Sequence, residues 1–271
     1  VFFFDDIGQA CEFAQEVPRY FEAVRAAAEA TTQHGKLLRL ECHPLGRQVT
    51  IDFCYSTGDA QGMNMIARAT DQGCQWLIEN SSARRYHLFS GMSSEKRASG
   101  LLLVGGKGKK VTAGALVPAQ IAKAYLHATP EMLFDVWQHT LLGHLQANAI
   151  GYNAHVANGL TAIFIACGQD VANVANAAVA ITNFELTPTG DLYASVTLPS
   201  LTVATVGGGT GQGTARECLQ MLDCDGGGKS PKFAEIVAAA LLAGELSMAA
   251  AIASGEFVAA HETYGRNRPG D

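Results

Sequence analysis

At 271 residues the chain has room for one large domain or two modest ones, and with 48% apolar residues it can bury a sizeable core. Only 16% of residues are charged and the formal net charge is −6, which argues against a nucleic-acid partner, since phosphate binding wants a basic face, and favours surface buried against another subunit. Seven cysteines with no CxxC pair read as buried free thiols in a reducing compartment, no uninterrupted apolar run reaches the about 18 residues of a membrane span, and no signal peptide is evident.

In chain order, "VFFF" predicts a short buried strand. Residues 8–33 have helical spacing, with Pro18 marking a break or a fresh start. "LLRLECHP" and "QVTIDFCYS" alternate like strands around the turn "PLGR". A helix over 59–80 and a last strand in "RRYHLFSG" complete a β-α-β-β-α-β order, the split βαβ arrangement of ferredoxin-like domains. This small domain is expected to span 1–89. A larger mixed domain is expected over 90–271. It begins with the polar loop "SGMSSEKRASG", a strand in "GKKVTAGALVP", and a helix that Pro118 starts. A long helical region follows over roughly 130–180, its small residues allowing helices to approach closely, and the larger domain is expected to be built on a long central helix. Strand, turn and strand in "AITNFELTPTGDLYASVTLPSLTVATVGGGT" come next, then two closing helices, "GTARECLQML" and "SPKFAEIVAAALLAGELSMAAAIASG". The predicted class is α+β.

Several stretches carry polar groups in places that ask for a reason. "TGDAQGMNM" sets an acid, two glycines and an amide beside two methionines, a pattern for backbone held tightly against something with an adaptable apolar flank. "VATVGGGTGQGTARECL" puts a glycine-rich turn ahead of a helix start. There outward N–H groups attract anions, although neither the dinucleotide fingerprint nor a Walker spacing matches, and a plain tight turn is the other reading. "GGKGKK" has no Walker spacing either. "ACGQDVAN" predicts Asp170 within an apolar helix, either satisfied by amides such as Asn158 or Gln169 or functional. "SSEKR" offers Glu95, Lys96 and Arg97 as solvated surface or as a working loop. The histidines show no metal spacing, so no metal site is expected.

Taken together, "TGDAQGMNM", "GYNAHVAN", "ACGQDVAN", "TVGGGT" and "GELSMAAAIASGEFVAAH", in that order, resemble 3-hydroxy-3-methylglutaryl-CoA reductases across essentially the whole chain. The "GMNM" form is similar to the class found in eukaryotes, archaea and some bacteria. The resemblance implies reduction of 3-hydroxy-3-methylglutaryl-CoA to mevalonate and CoA by two hydride transfers from NADPH or NADH. It assigns cofactor contact to Asp59, Gly62, Met63, Asn64 and Met65 in the small domain, and to Val206, Gly207, Gly208, Gly209 and Thr210 in the large one. It implies a catalytic Lys96 that stabilises the developing oxyanion, Asp170 that holds the lysine, and His261 that protonates the departing thiolate. It implies substrate contact by Ser90, Glu95, Arg97, His139 and Asn158.

It also implies a homo-oligomer whose active site forms between subunits, in the cytoplasm or facing the cytosol, with no membrane contact from this chain. Departures stand beside these matches. Gln61 and Ala204 replace a usual methionine and glycine, Glu95 a usual aspartate, and His139 a lysine. Gln33 replaces the arginine that reads the 2′-phosphate, with Thr31, Thr32 and Lys36 near it in sequence. No "ENVIG" segment with its catalytic glutamate is present, and the chain opens on Val1, so that acid is expected from an upstream portion or another chain, or to be lacking. The alternative activities are reduction of another acyl-CoA, or a non-catalytic CoA- or nucleotide-binding partner subunit.

Overall fold

The computed structural model describes residues 1–264, with the side chains at 259–261 and 264 outside that description. It is mixed α+β and falls into two compact units, Val1–Ser93 and the residues from Ser94 onward.

Unit 1 contains β1 (Phe2–Phe3), α1 (Ile7–Glu16), α2 (Phe21–Glu29), β2 (Lys36–Leu45), β3 (Gln48–Ser56), α3 (Met63–Glu79) and β4 (Arg85–Tyr86). Asp6 caps α1 by accepting from the Gln9 amide at 2.9 Å. Pro18 sits in a 3₁₀ turn, Val17–Tyr20, that separates α1 from α2, because proline suits a helix start and cannot continue one. The four strands are ordered β2-β3-β1-β4 and every pair is antiparallel. Alternation along β3 turns Val49 and Ile51 inward, where they meet Phe2, Phe13, Val24, Leu37 and Leu77 in one core. The last strand is shorter than "RRYHLFSG" predicts: only Arg85 and Tyr86 pair with β1, since β1 itself offers just two residues.

Unit 2 contains β5 (Lys109–Val117), α4 (Ala119–Tyr125), α5 (Pro130–Gln146), α6 (Val156–Ala166), α7 (Val174–Ala177), β6 (Ile181–Leu186), β7 (Leu192–Leu201), α8 (Gly213–Met221), α9 (Ser230–Ala253) and α10 (Glu256–Tyr264). Its antiparallel sheet is ordered β5-β7-β6. β6 and β7 form a hairpin, closed at Gly190, whose φ of +83° needs glycine.

The helical region expected over 130–180 consists of several helices. Asn148 (φ +54°) and Gly151 (φ +98°) take left-handed backbone that ends α5, and Tyr152 then bonds across to Ala180 and Thr182 beside β6. The long helix of this unit is α9, 24 residues, whose Phe233, Val237, Leu241 and Leu242 are buried with Phe164, Phe184 and Leu198. By length and composition α9 is also apolar enough to cross a membrane, which the reading by uninterrupted runs did not flag; here it is the core helix of unit 2.

All seven cysteines are free. Cys74, Cys167 and Cys224 are buried as expected, whereas Cys11 is exposed and Cys42, Cys54 and Cys218 are half-buried. Burial pushes the Cys74 thiol up to about 12 and those of Cys42 and Cys167 to about 11, so these sulfurs are protonated and inert at neutral pH.

Candidate active site

The loop between Ser93 and β5 brings the strongest chemistry together. Lys96 Nζ lies 2.8 Å from Asp170 Oδ2, and both side chains remain partly open to solvent. Lys96 sits in a tight turn with left-handed backbone at Ser94 (φ +52°) and at Lys96 itself (φ +56°). Non-glycine residues adopt that region at a cost, and such strain concentrates at functional sites. The turn is tied down locally: the Lys96 amide donates to Oδ1 of the buried Asn176 at 3.3 Å, and the Arg97 amide donates to Ser94 O at 3.3 Å.

Asp170 is not inside a helix as its apolar surroundings suggest. α6 ends at Ala166, and Asp170 caps a 3₁₀ turn, Val171–Asn173, by accepting from the Ala172 amide at 3.1 Å. Its counter-charge is Lys96. Gln169 instead turns inward, donating to Cys167 O and Ala204 O at 2.8 and 2.9 Å and accepting from the Ala204 amide at 2.7 Å. Gly168 (φ +63°) brings its backbone against Gly209. A Cβ on Gly168 would lie 2.3 Å from Gly209 O, and one on Gly209 would lie 2.5 Å from Gly168 O. The acid-bearing turn and the glycine-rich turn thus pack backbone against backbone.

In that glycine-rich turn Gly207 (φ +81°) and Gly208 (φ +57°) take left-handed backbone, and a Cβ on either would meet nothing within 4 Å. Their glycines answer to backbone conformation, and open space lies beside them. Val206 is exposed, while Thr210 is buried and donates its hydroxyl to Gly207 O at 2.7 Å. A 3₁₀ turn, Gly208–Gly211, separates these residues from α8.

Unit 1 places the other glycine-methionine stretch at the start of α3, which begins at Met63 rather than near 59. Gly62 is its cap with φ +71°, and a Cβ there would lie 2.8 Å from Thr57 Cγ2. Met65 reaches back to the turn before β2, its Sδ accepting from Thr32 Oγ1 at 2.8 Å. That contact joins "GDAQGMNM" to the "TTQHGK" turn, where Gln33 is exposed. Asn64 is exposed, and Asp59 and Met63 are half-buried.

The remaining predicted residues divide. Asn158 is exposed on the first turn of α6, and Ser90 is exposed and accepts from the Met92 amide at 3.0 Å. Arg97 is exposed, with one guanidinium nitrogen donating to Glu95 O at 3.2 Å. His139 is exposed on α5, its Nδ1 3.8 Å from Asp135. Glu95, expected with Ser90 and Arg97 to contact the substrate, has a side chain that is 8% exposed and meets the ammonium of Lys107. His261 belongs to α10, and its side chain lies outside the described residues. Among the described residues one group of donors converges as a metal site would, Glu41, His43 and Asp52 on the β2–β3 hairpin, where Arg39 already pairs with Glu41. A hollow of about 60 Å³ in unit 2, lined by Trp137, His144, Tyr152 and Thr182 among others, is touched by none of the predicted site residues.

Sequence reasoning missed Glu245. This carboxylate is buried, and it accepts from three consecutive amides, Ala154, His155 and Val156, at 2.6–3.1 Å, and from the Thr182 hydroxyl at 3.0 Å. No local side chain caps α6, so Glu245 supplies the negative charge its N-terminus lacks. Gly159 and Gly244 enclose the His155 ring, which would lie 2.0 Å from a Cβ at Gly244. Together they fix the segment that carries Asn153 and Asn158. Glu245→Gln places an NH₂ among these donors and is expected to cost about 2–3 kcal/mol, read as a lower urea midpoint at unchanged slope; an unchanged midpoint would show the cap to be dispensable. The available signal was a lone carboxylate in the apolar run "AAALLAGELSMAAA".

The family model described as hydroxymethylglutaryl-coenzyme A reductase matches residues 1–266. A 3-hydroxy-3-methylglutaryl-coenzyme A reductase of Methanothermobacter thermautotrophicus is 39% identical over 262 residues, covering 95% of this chain and 65% of the relative. One of Pyrococcus horikoshii is 41% identical over 265 residues, covering 93% and 64%. The chain therefore spans just under two thirds of the length of these relatives. Among solved structures, the class II 3-hydroxy-3-methylglutaryl-CoA reductase from Streptococcus pneumoniae bound to NADPH in open conformations superposes with a TM-score of 0.71 at 17% identity, over 91% of this chain and 68% of that one. That likeness is one of fold.

Proposed function

The chain belongs to the hydroxymethylglutaryl-coenzyme A reductase family, and from that premise we propose that it carries the reducing centre for 3-hydroxy-3-methylglutaryl-CoA. The product is mevalonate. The observation that carries the reading is the Lys96–Asp170 pair, 2.8 Å apart at a strained turn. In the balanced reaction two hydrides and two protons convert the thioester to a primary alcohol and free CoA thiol. When bound, the nicotinamide supplies the hydrides.

Several of the chain's own residues act on the reacting groups. The Lys96 ammonium stands where negative charge develops on the thioester oxygen, and a fixed cation there lowers the barrier most when it needs no reorganisation. Asp170 holds that ammonium in place and is itself held by its cap and by the Gln169–Ala204 clamp. His261 gives its proton to the departing thiolate, a task suited to a group that titrates near neutrality. Arg97, Ser90, Asn158 and His139 contact the acyl group. Glu95 is assigned a different role below.

We assign cofactor contact to Asp59 and residues 62–65 in unit 1 and to residues 206–210 in unit 2. The left-handed, uncrowded Gly207 and Gly208 support this, since backbone there is free to approach a ligand. NADPH is favoured over NADH, with the Thr31–Thr32 turn and Lys36 compensating for Gln33. The strand order β2-β3-β1-β4 with crossover helices supports a ferredoxin-like reading of unit 1. We further propose that unit 1 is the cofactor-binding domain and unit 2 the catalytic one, that the protein is a homo-oligomer with a shared site, and that it works in the cytoplasm or facing the cytosol. Exposed Leu142, Leu145, Ile150 and Ile165 in unit 2 support burial against a further chain. His139 favours one second reading, a relative that takes another acyl-CoA, because an imidazole leaning on Asp135 replaces an ammonium.

The full-length protein, incubated with 3-hydroxy-3-methylglutaryl-CoA and NADPH, is expected to consume two reduced nicotinamides per CoA released. Cofactor and substrate binding without consumption would overturn the enzymatic reading.

A further inference from the structure

"GGKGKK" matched no phosphate-loop spacing, and a lysine-rich run of this kind ordinarily points to solvent. Lys107 does the opposite: its side chain is 18% exposed and its ammonium meets the carboxylate of Glu95, itself 8% exposed. The backbone on either side leaves it little choice. Gly105 (φ +85°) and Gly108 (φ +71°) both take left-handed geometry, and a Cβ at Gly108 would lie 2.3 Å from Leu201 O. The Gly106 amide donates to Ser200 Oγ at 3.4 Å, and that hydroxyl donates to Leu102 O at 3.1 Å. The Lys107 backbone is therefore clamped to the end of β7, and its stem runs inward.

Glu95 lies between the two left-handed residues Ser94 and Lys96. Neither of its oxygens receives a hydrogen bond of ordinary geometry among the described residues, so Lys107 supplies its counter-charge as an ion pair. A carboxylate this buried without a cation would swing outward to reach water. Swinging it out would unwind the turn that presents Lys96 and Arg97.

We propose that Lys107 is a positioning residue: its ion pair with buried Glu95 latches the 94–97 turn in the left-handed geometry that delivers the Lys96 ammonium to Asp170. The proposal rests on the catalytic reading of Lys96 only for its effect on turnover.

The test uses the full-length protein and two readouts, the initial rate of tryptic cleavage after Lys96 and Arg97, and the kinetics of reduction. Lys107→Met is expected to speed cleavage at those two bonds about tenfold, because cleavage follows the population of the open loop. It is expected to lower kcat about ten- to a hundredfold, since a displaced catalytic group is costly, while the KM for the nicotinamide cofactor stays put. Lys107→Arg, which keeps the charge, is expected to restore both. The double variant Glu95→Gln/Lys107→Met removes both charges and is expected to regain most of the protection lost in Lys107→Met.

Wild-type cleavage rates in Lys107→Met, or a double variant as labile as the single, overturns the latch. Protection lost in Lys107→Met with full turnover in Lys96→Met would sink the catalytic reading of Lys96 and leave the latch standing.

Discussion

Lys96→Met is expected to lower turnover by about 10²–10³-fold, the range seen when one preorganised donor to an oxyanion is removed. Methionine keeps the stem and removes the charge, so the change isolates electrostatics from packing. The fold should barely respond. The Lys96–Asp170 pair is close but partly open to water, with side chains 45% and 36% exposed, and pairs of that kind contribute about 0–1 kcal/mol to stability. A variant that melts with the wild type and turns over hundreds of times more slowly is the expected result. If the proposed reduction is the reaction, the loss should fall on kcat, because charge on the thioester oxygen would exist only as hydride arrives. Asp170→Asn should share most of the loss, since it releases the ammonium from its fixed position, and the double variant should be little worse than either single one. Near-wild-type kcat in Lys96→Met would end the assignment.

How far these groups were visible in the sequence depended on the kind of signal. The β2–β3 hairpin was legible because alternation and the "PLGR" turn are local: the first observed strand, Lys36–Leu45, extends the predicted one by a residue at each end, and the second, Gln48–Ser56, coincides with it. The order of elements in unit 1 followed from the same local patterns. The break between α5 and α6 was not legible, because alanine, glycine and asparagine suit helices packed closely as well as the left-handed residues at Asn148 and Gly151.

The pairing of Lys96 with Asp170 has no local signal at all, since the two residues sit in separate loops, and only family resemblance brought them forward together. The rule that a carboxylate in an apolar run needs a partner was applied to Asp170, which sits at the surface beyond the helix. The same rule fits Glu245 better, which is 3% exposed and saturated with donors. Glu95 is a different case. A polar run in a loop reads as solvated, yet its middle acid is turned inward by a lysine whose direction is dictated by glycines on either side.

The glycines that join the acid-bearing turn to the glycine-rich turn carry the largest expected effect on stability. Gly168→Ala imposes two separate penalties. Its φ of +63° is left-handed, which costs a residue with a Cβ about 1–2 kcal/mol. The new methyl would also lie 2.3 Å from the Gly209 carbonyl oxygen and 2.9 Å from Ala215 Cβ. Overpacking against backbone that cannot rotate away costs about 1–3 kcal/mol. A loss of about 3–4 kcal/mol follows, measured by urea denaturation at constant slope.

Gly209→Ala meets the same contact from the other side, 2.5 Å from the Gly168 oxygen, without the left-handed penalty, and should cost less. Because both methyls push apart one interface, the double variant should lose clearly less than the sum of the singles. If Gly168→Ala costs under about 1 kcal/mol, the two turns are not locked together. The consequence for chemistry is directional. Separating the turns moves Asp170 relative to the Gly207–Gly208 backbone, so a surviving Gly168→Ala protein should lose turnover in excess of its loss of folded protein, because a small misplacement of the carboxylate moves the ammonium it anchors.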